Sequence, residues 1–130
     1  FSAEPIAWLN LKTIVGYIFT PMAYCIGIVD PKEANIVGQL LGTKIVTNEF
    51  VAYLDLASPA VSEQLSERSR MIAAYALCGF SNLASIGIQI GGLSVMAPNR
   101  RADLSRLAFR AMIAGMFATS ASACVAAILL

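Results

Sequence analysis

Three stretches of this chain carry no charge at all: residues 13–29, 71–99 and 111–130. A helix crosses a bilayer with about 20 mostly apolar residues, and with fewer where flanking Lys or Arg side chains reach back to the headgroups. The runs therefore predict spans at about 7–29, 70–96 and 107–129. Composition agrees. Charged residues make up 13% of the chain, about half of the roughly 25% of an ordinary soluble domain. Hydrophobic residues make up 58%, leaving too little polar surface to cover a soluble fold of this size. Nine Lys and Arg against eight Asp and Glu give no basic excess for nucleic-acid binding. The absence of histidine removes His-based catalysis and most zinc sites. Cys25, Cys78 and Cys124 are odd in number and lie in apolar stretches, so they are expected to be buried free thiols. The sequence opens on Phe1 without a basic segment, so no signal peptide is expected and the chain reads as part of a longer protein.

Two stretches do not fit a plain span. In residues 31–57, Lys44, Glu49 and Asp55 sit among apolar side chains, together with Gly38, Gly42, Thr43, Thr47 and Asn48. A straight helix there would carry Lys44 across hydrocarbon at about 2.5–3.5 kcal/mol, with a comparable charge at Glu49. Two short half-helices that dip in and return, with a tip near 43–49 buried in protein or facing water, avoid this. Residues 77–92 mix Gly79, Ser81, Asn82, Ser85, Gly87, Gln89, Gly91 and Gly92 into an apolar span, the composition of an interrupted helix. Pro21 is expected to kink the first span. Residues 58–70 form a polar stretch of mixed charge, and residues 98–101 (PNRR) a tight turn. Arg100, Arg101, Arg106 and Arg110 place that turn on the cytoplasmic side and suit lipid headgroups. The first span then runs outward, the dipping segment enters from outside, and Leu130 lies outside.

Glu49 is the sharpest chemical signal, because a carboxylate in apolar surroundings needs a partner. It reads as an acceptor for the hydroxyls of a polar substrate, as the partner of Lys44, or as a carboxylate at a hairpin end close to water. Asn82 and Ser85, three apart, share a helix face or flank a break, and serve either a substrate or contact between helices. Phe80 offers a stacking surface for a flat ring or simply faces lipid. Gly38/Gly42 and Gly87/Gly91 have the spacing that lets helices approach closely. Ala111, Ala114, Ala118, Ser122 and Val125 form a small stripe expected to pack against another helix. A hydrolase built on Lys44 and a serine finds no supporting motif.

The run GTKIVTNEFVAYLDL (residues 42–56) and the run AAYALCGFSNLASIGIQIGGLSVMAPNRRADLSRLA (residues 73–108) resemble the C-terminal region of the concentrative nucleoside transporter family. The resemblance implies an all-α membrane protein of transmembrane helices plus a re-entrant helical hairpin and a broken helix. Its parts would be a scaffold-like helix over 1–30, the hairpin over 31–57, an external linker over 58–68, the broken helix over 69–97 and a last helix over 102–130. It implies a substrate site in which Glu49 bonds ribose hydroxyls and Phe80, Asn82 and Ser85 lie near ribose and base. It further implies no enzymatic activity, cation-coupled nucleoside uptake by an elevator mechanism in the bacterial inner membrane, and a homotrimer when full length. No cofactor is expected in this chain; the coupling ion, sodium or proton, would be held by the family's first half. Nucleoside and lipid bilayer are the expected partners, nucleic acid is not. The alternative from the residues alone is a non-transporting helical membrane module that assembles through its Gly and Ala faces.

Overall fold

A computed structural model describes residues 11–130, with side chains from Thr13 onward. The part of the first expected span before residue 11 lies outside the described residues. Those described fold into helices α1 (Leu11–Cys25), α2 (Pro31–Val46), α3 (Glu49–Ala57), α4 (Pro59–Ser62), α5 (Glu67–Leu77), α6 (Leu83–Met96) and α7 (Arg101–Leu129), with a 3₁₀ turn at Pro98–Arg100 before α7. Helix continues through Pro21 to Cys25. Among the described residues one helical segment, Pro98–Leu129, is long and apolar enough to cross a membrane; Thr13–Cys25 and Leu83–Met96 are shorter apolar helices.

The ends of these helices follow from side chains that replace missing backbone partners. Asp30, followed by Pro31, accepts the N–H groups of Lys32 and Glu33 and starts α2. Asn48 accepts from the N–H of Val51 at 2.9 Å and starts α3. Ser66 accepts from the N–H of Ser69 and starts α5. Helix therefore stops after Val46 and restarts at Glu49, and again stops after Leu77 and restarts at Leu83.

Helix α1 packs along α2, α3 folds back on α2, and α7 runs past both α5 and α6. The core gathers Ala23, Ile26, Val37, Leu41, Leu56, Ile72, Leu77 and Ala123. Two polar clasps hold it at one end. Glu33 accepts from the backbone N–H and hydroxyl of Ser66 and from the hydroxyl of Ser69, joining the start of α2 to the start of α5. Arg68 donates to the carbonyls of Gly27 and Ala127 at 2.9 and 2.7 Å, joining the α1–α2 turn to the end of α7.

Three expectations are corrected. The small stripe Ala111, Ala114, Ala118, Ser122 and Val125 is exposed; the face of α7 that packs carries Ser120, Ala123 and Ala126. Small residues surround α7 on several sides, so spacing alone does not select the buried row. Of the two glycine pairs, Gly38/Gly42 abuts α1, whereas a Cβ on Gly87 or Gly91 would meet nothing within 4 Å. The thiols are free, but Cys25 and Cys78 are exposed, because no neighbouring element covers those positions.

The α1–α2 contact generates a prediction. A Cβ on Gly38 would stand 2.6 Å from the carbonyl oxygen of Gly16 and 2.9 Å from the N–H nitrogen of Thr20. Both are backbone atoms and cannot swing aside. Gly38→Ala is expected to lower stability by about 1–3 kcal/mol through overpacking, read as a lower thermal midpoint in detergent. Gly91→Ala, which meets open space, is expected not to lower it.

Candidate functional site

The two interruptions meet. Glu49 is the first residue of α3 and Asn82 caps α6. Asn82 Nδ2 donates to Glu49 Oε2 at 3.0 Å. The other end of the same amide accepts the N–H of Ser85 at 2.7 Å. The Ser85 hydroxyl accepts from the N–H of Asn82 at 3.2 Å and donates to the Asn82 carbonyl at 2.6 Å. This reciprocal pair is a capping box, and it fixes the start of α6 with little freedom. Asn82 is fully buried and Ser85 nearly so.

Of the four residues singled out in the sequence, the structure thus links Glu49, Asn82 and Ser85 in one hydrogen-bonded chain. Phe80 lies two residues before the cap, half exposed at 50%. Phe80 and Ser85 line a groove of about 280 Å³ between the start of α6 and α7, along with Ser81, Gln89, Leu104 and Met112. Glu49 and Asn82 are not among its lining residues. The groove is mostly apolar, and its polar lining residues are Ser81, Ser85 and Gln89.

The pairing of Glu49 with Lys44 is not what the side chains do. Lys44 is 1% exposed, and its ammonium donates to the Ala76 carbonyl at 2.9 Å and to Thr119 Oγ1 at 3.3 Å. Glu49 keeps a neutral amide as its partner and retains further lone pairs. Two residues with a part in this region carry no signal in the sequence. Thr119 receives Lys44, and the Tyr53 hydroxyl donates to the Ala74 carbonyl at 2.7 Å. Both act on backbone carbonyls at the end of α5 or on a side chain far away in sequence, which no local motif announces.

Residues 2–127 match the family described as "Na+ dependent nucleoside transporter C-terminus". Over 121 residues the chain is 49% identical to a protein of Haemophilus influenzae named "Uncharacterized transporter", covering 91% of this chain and 29% of the relative. It is 42% identical to solute carrier family 28 member 3 of Homo sapiens, covering 93% of this chain and 19% of that protein. It is 40% identical to sodium/nucleoside cotransporter 1 of Mus musculus, covering 93% and 20%. Among solved structures, that of CNTnw in an inward-facing, substrate-bound state superposes with a TM-score of 0.85 at 46% identity, covering 92% of this chain and 29% of that one. The chain spans less than a third of the length of these relatives.

The capping geometry generates the second prediction. Asn82→Ala removes the cap and leaves both the Ser85 N–H and Glu49 without their partner. Asn82→Ser keeps a capping oxygen. The alanine variant is expected to be the less stable by about 1 kcal/mol, the usual worth of a cap, measured as the difference in unfolding midpoints in detergent.

Proposed function

The chain belongs to the Na+-dependent nucleoside transporter family, in its C-terminal region, and from that premise we propose that it supplies the ribose-binding half of the site of a sodium-coupled nucleoside importer. The single observation that carries this reading is the Glu49–Asn82 bond across two helix interruptions. A carboxylate accepts hydrogen bonds and a ribose offers two adjacent hydroxyl donors, so Glu49 suits the diol. Its side-chain hydrogen-bond partner among the described residues, the Asn82 amide, is neutral. The Asn82 amide, itself held by the Ser85 N–H, orients the carboxylate. The Ser85 hydroxyl, with its proton given to the Asn82 carbonyl, offers a remaining lone pair to a donor on the ligand. Phe80 presents its ring for stacking with the flat base.

In this reading α2 and α3 form a re-entrant hairpin over 31–57, and α5 and α6 are the two halves of a broken helix over 69–97. Helix interruptions at mid-membrane are where transporters expose polar groups to substrate. Residues 31–130 belong to a transport domain that moves as an elevator against a scaffold that includes α1, in a homotrimer of the full-length protein. The arginines at 100, 101, 106 and 110 face the cytoplasm of a bacterial inner membrane. Sodium, named for the cotransporter relatives, is the coupling ion, and its ligands are expected outside these residues.

The test is uptake of uridine and adenosine by the full-length protein, with and without a sodium gradient. Glu49→Gln is expected to reduce uptake of ribonucleosides by about 10-fold or more, as loss of a hydrogen bond to a charged group implies. For a 2′,3′-dideoxynucleoside, which lacks both hydroxyls, the parent is already poor and Glu49→Gln changes it little. Equal ribonucleoside uptake by Glu49→Gln and the parent removes the ribose role. If both Glu49→Gln and Asn82→Ala are silent while Gly91→Leu disperses oligomers on a native gel, the assembly-module reading takes its place.

A further inference from the structure

Lys44 is the largest fully buried side chain among the described residues, and ribose recognition does not use it. Its position gives it a different task. Helix α5 ends at Leu77, so its last carbonyls have no helical donors. Those of Ala74 and Tyr75 receive the N–H of Cys78, and that of Ala74 also receives the Tyr53 hydroxyl. The carbonyl of Ala76 receives the ammonium of Lys44. The same ammonium reaches Thr119 on α7, whose hydroxyl donates to the Met116 carbonyl. Gly79 leaves room for this arrangement: a Cβ there would collide with the Thr119 methyl and stand 3.7 Å from Nζ. One cation from α2 thus ties the end of α5 to α7, three residues ahead of Gly79 and six ahead of Asn82.

The negative end of a helix dipole attracts a cation. In membrane transporters the carbonyl ends of half-helices coordinate metal ions or protons at such places. We propose that Lys44 is a positioning residue, a covalently tethered cation that caps the end of α5 and so holds the 78–82 segment with Asn82 against Glu49. The interruption then needs no bound ion of its own. This rests on the transport reading only for its effect on uptake; the effect on the backbone stands separately.

The experiment uses the full-length protein in detergent and in vesicles. Lys44→Met keeps the length and removes the charge. Lys44→Arg keeps the charge. Lys44→Ala opens a space that n-propylammonium fills. Backbone hydrogen exchange over residues 76–85 is measured beside ribonucleoside uptake. Lys44→Met is expected to exchange at least 10-fold faster there, with α7 after residue 121 unaltered, and to raise KM for uptake at least 10-fold. Lys44→Arg, and Lys44→Ala with added n-propylammonium, are expected to recover much of both. If Lys44→Met does not fold, the alanine variant with and without the amine carries the test. Parent-like exchange in Lys44→Met overturns the proposal. So does a defect that neither arginine nor the amine relieves, and so does faster exchange with an unchanged KM. If the parent moves no nucleoside while exchange behaves as stated, the positioning role holds and the transport reading fails.

Discussion

A helix that stops leaves N–H and C=O groups without partners, and in surroundings with little water each must be satisfied by the protein itself. This chain stops helix twice within apolar sequence, and polar side chains meet the backbone there and at its other helix ends. Asp30, Asn48, Ser66 and Asn82 each cap a helix start. Thr47 returns both its N–H and its hydroxyl to the Thr43 carbonyl at the end of α2. Lys44 and Tyr53 serve the end of α5. Helix α7 begins without a side-chain cap, beside exposed Arg100 and Asp103 joined by an ion pair at 2.8 Å. A start of that kind has water for its free N–H groups, whereas the start of α6 at the fully buried Asn82 does not.

The interruptions themselves are legible in the sequence for this reason. Asn48 after Thr47, and Asn82 after Gly79 and Ser81, place capping and helix-ending residues inside runs that otherwise favour helix. Glu49 stands out because a carboxylate in apolar surroundings has few explanations. The partner of Lys44 is not legible. A backbone carbonyl has no identity in sequence, and Ala76 looks like any other alanine until α5 is seen to end beside it. The two glycine pairs share one spacing, yet only Gly38/Gly42 meets a neighbour, because spacing reports a face and says nothing of what lies opposite. The packing row of α7 escapes the sequence for the same reason.

The exposed apolar surface is distributed by element. Val95 and Met96 near the end of α6 and Ile128 and Leu129 at the end of α7 are each at least 80% exposed, and Gly87, Gly91 and Gly92 lie open on α6. The closely packed side, by contrast, is where α2, α5 and α7 converge on Lys44 and Leu77. Of the groups that would meet a ligand, Asn82 and Ser85 are thus buried and hydrogen-bonded in place, while Phe80 is half exposed. A polar site gains selectivity when its members are held in place before the ligand arrives, and the capping box of Asn82 and Ser85 provides that locally.

Glu49 and Lys44 are five residues apart, on either side of the Val46–Glu49 interruption, and each takes neutral partners. An ion pair between them would have been the simplest answer to two charges in an apolar stretch. It would also have cancelled the carboxylate and drawn the ammonium away from α5. A carboxylate offers about four lone-pair sites, and Asn82 occupies one of them, so capacity for further donors remains. An ammonium facing a helix C-terminus is matched by partial charges on backbone that cannot leave. Without a direct ion pair, each group makes its hydrogen bonds with other partners. The cation holds the backbone, and the anion stays available on the surface that this backbone shapes.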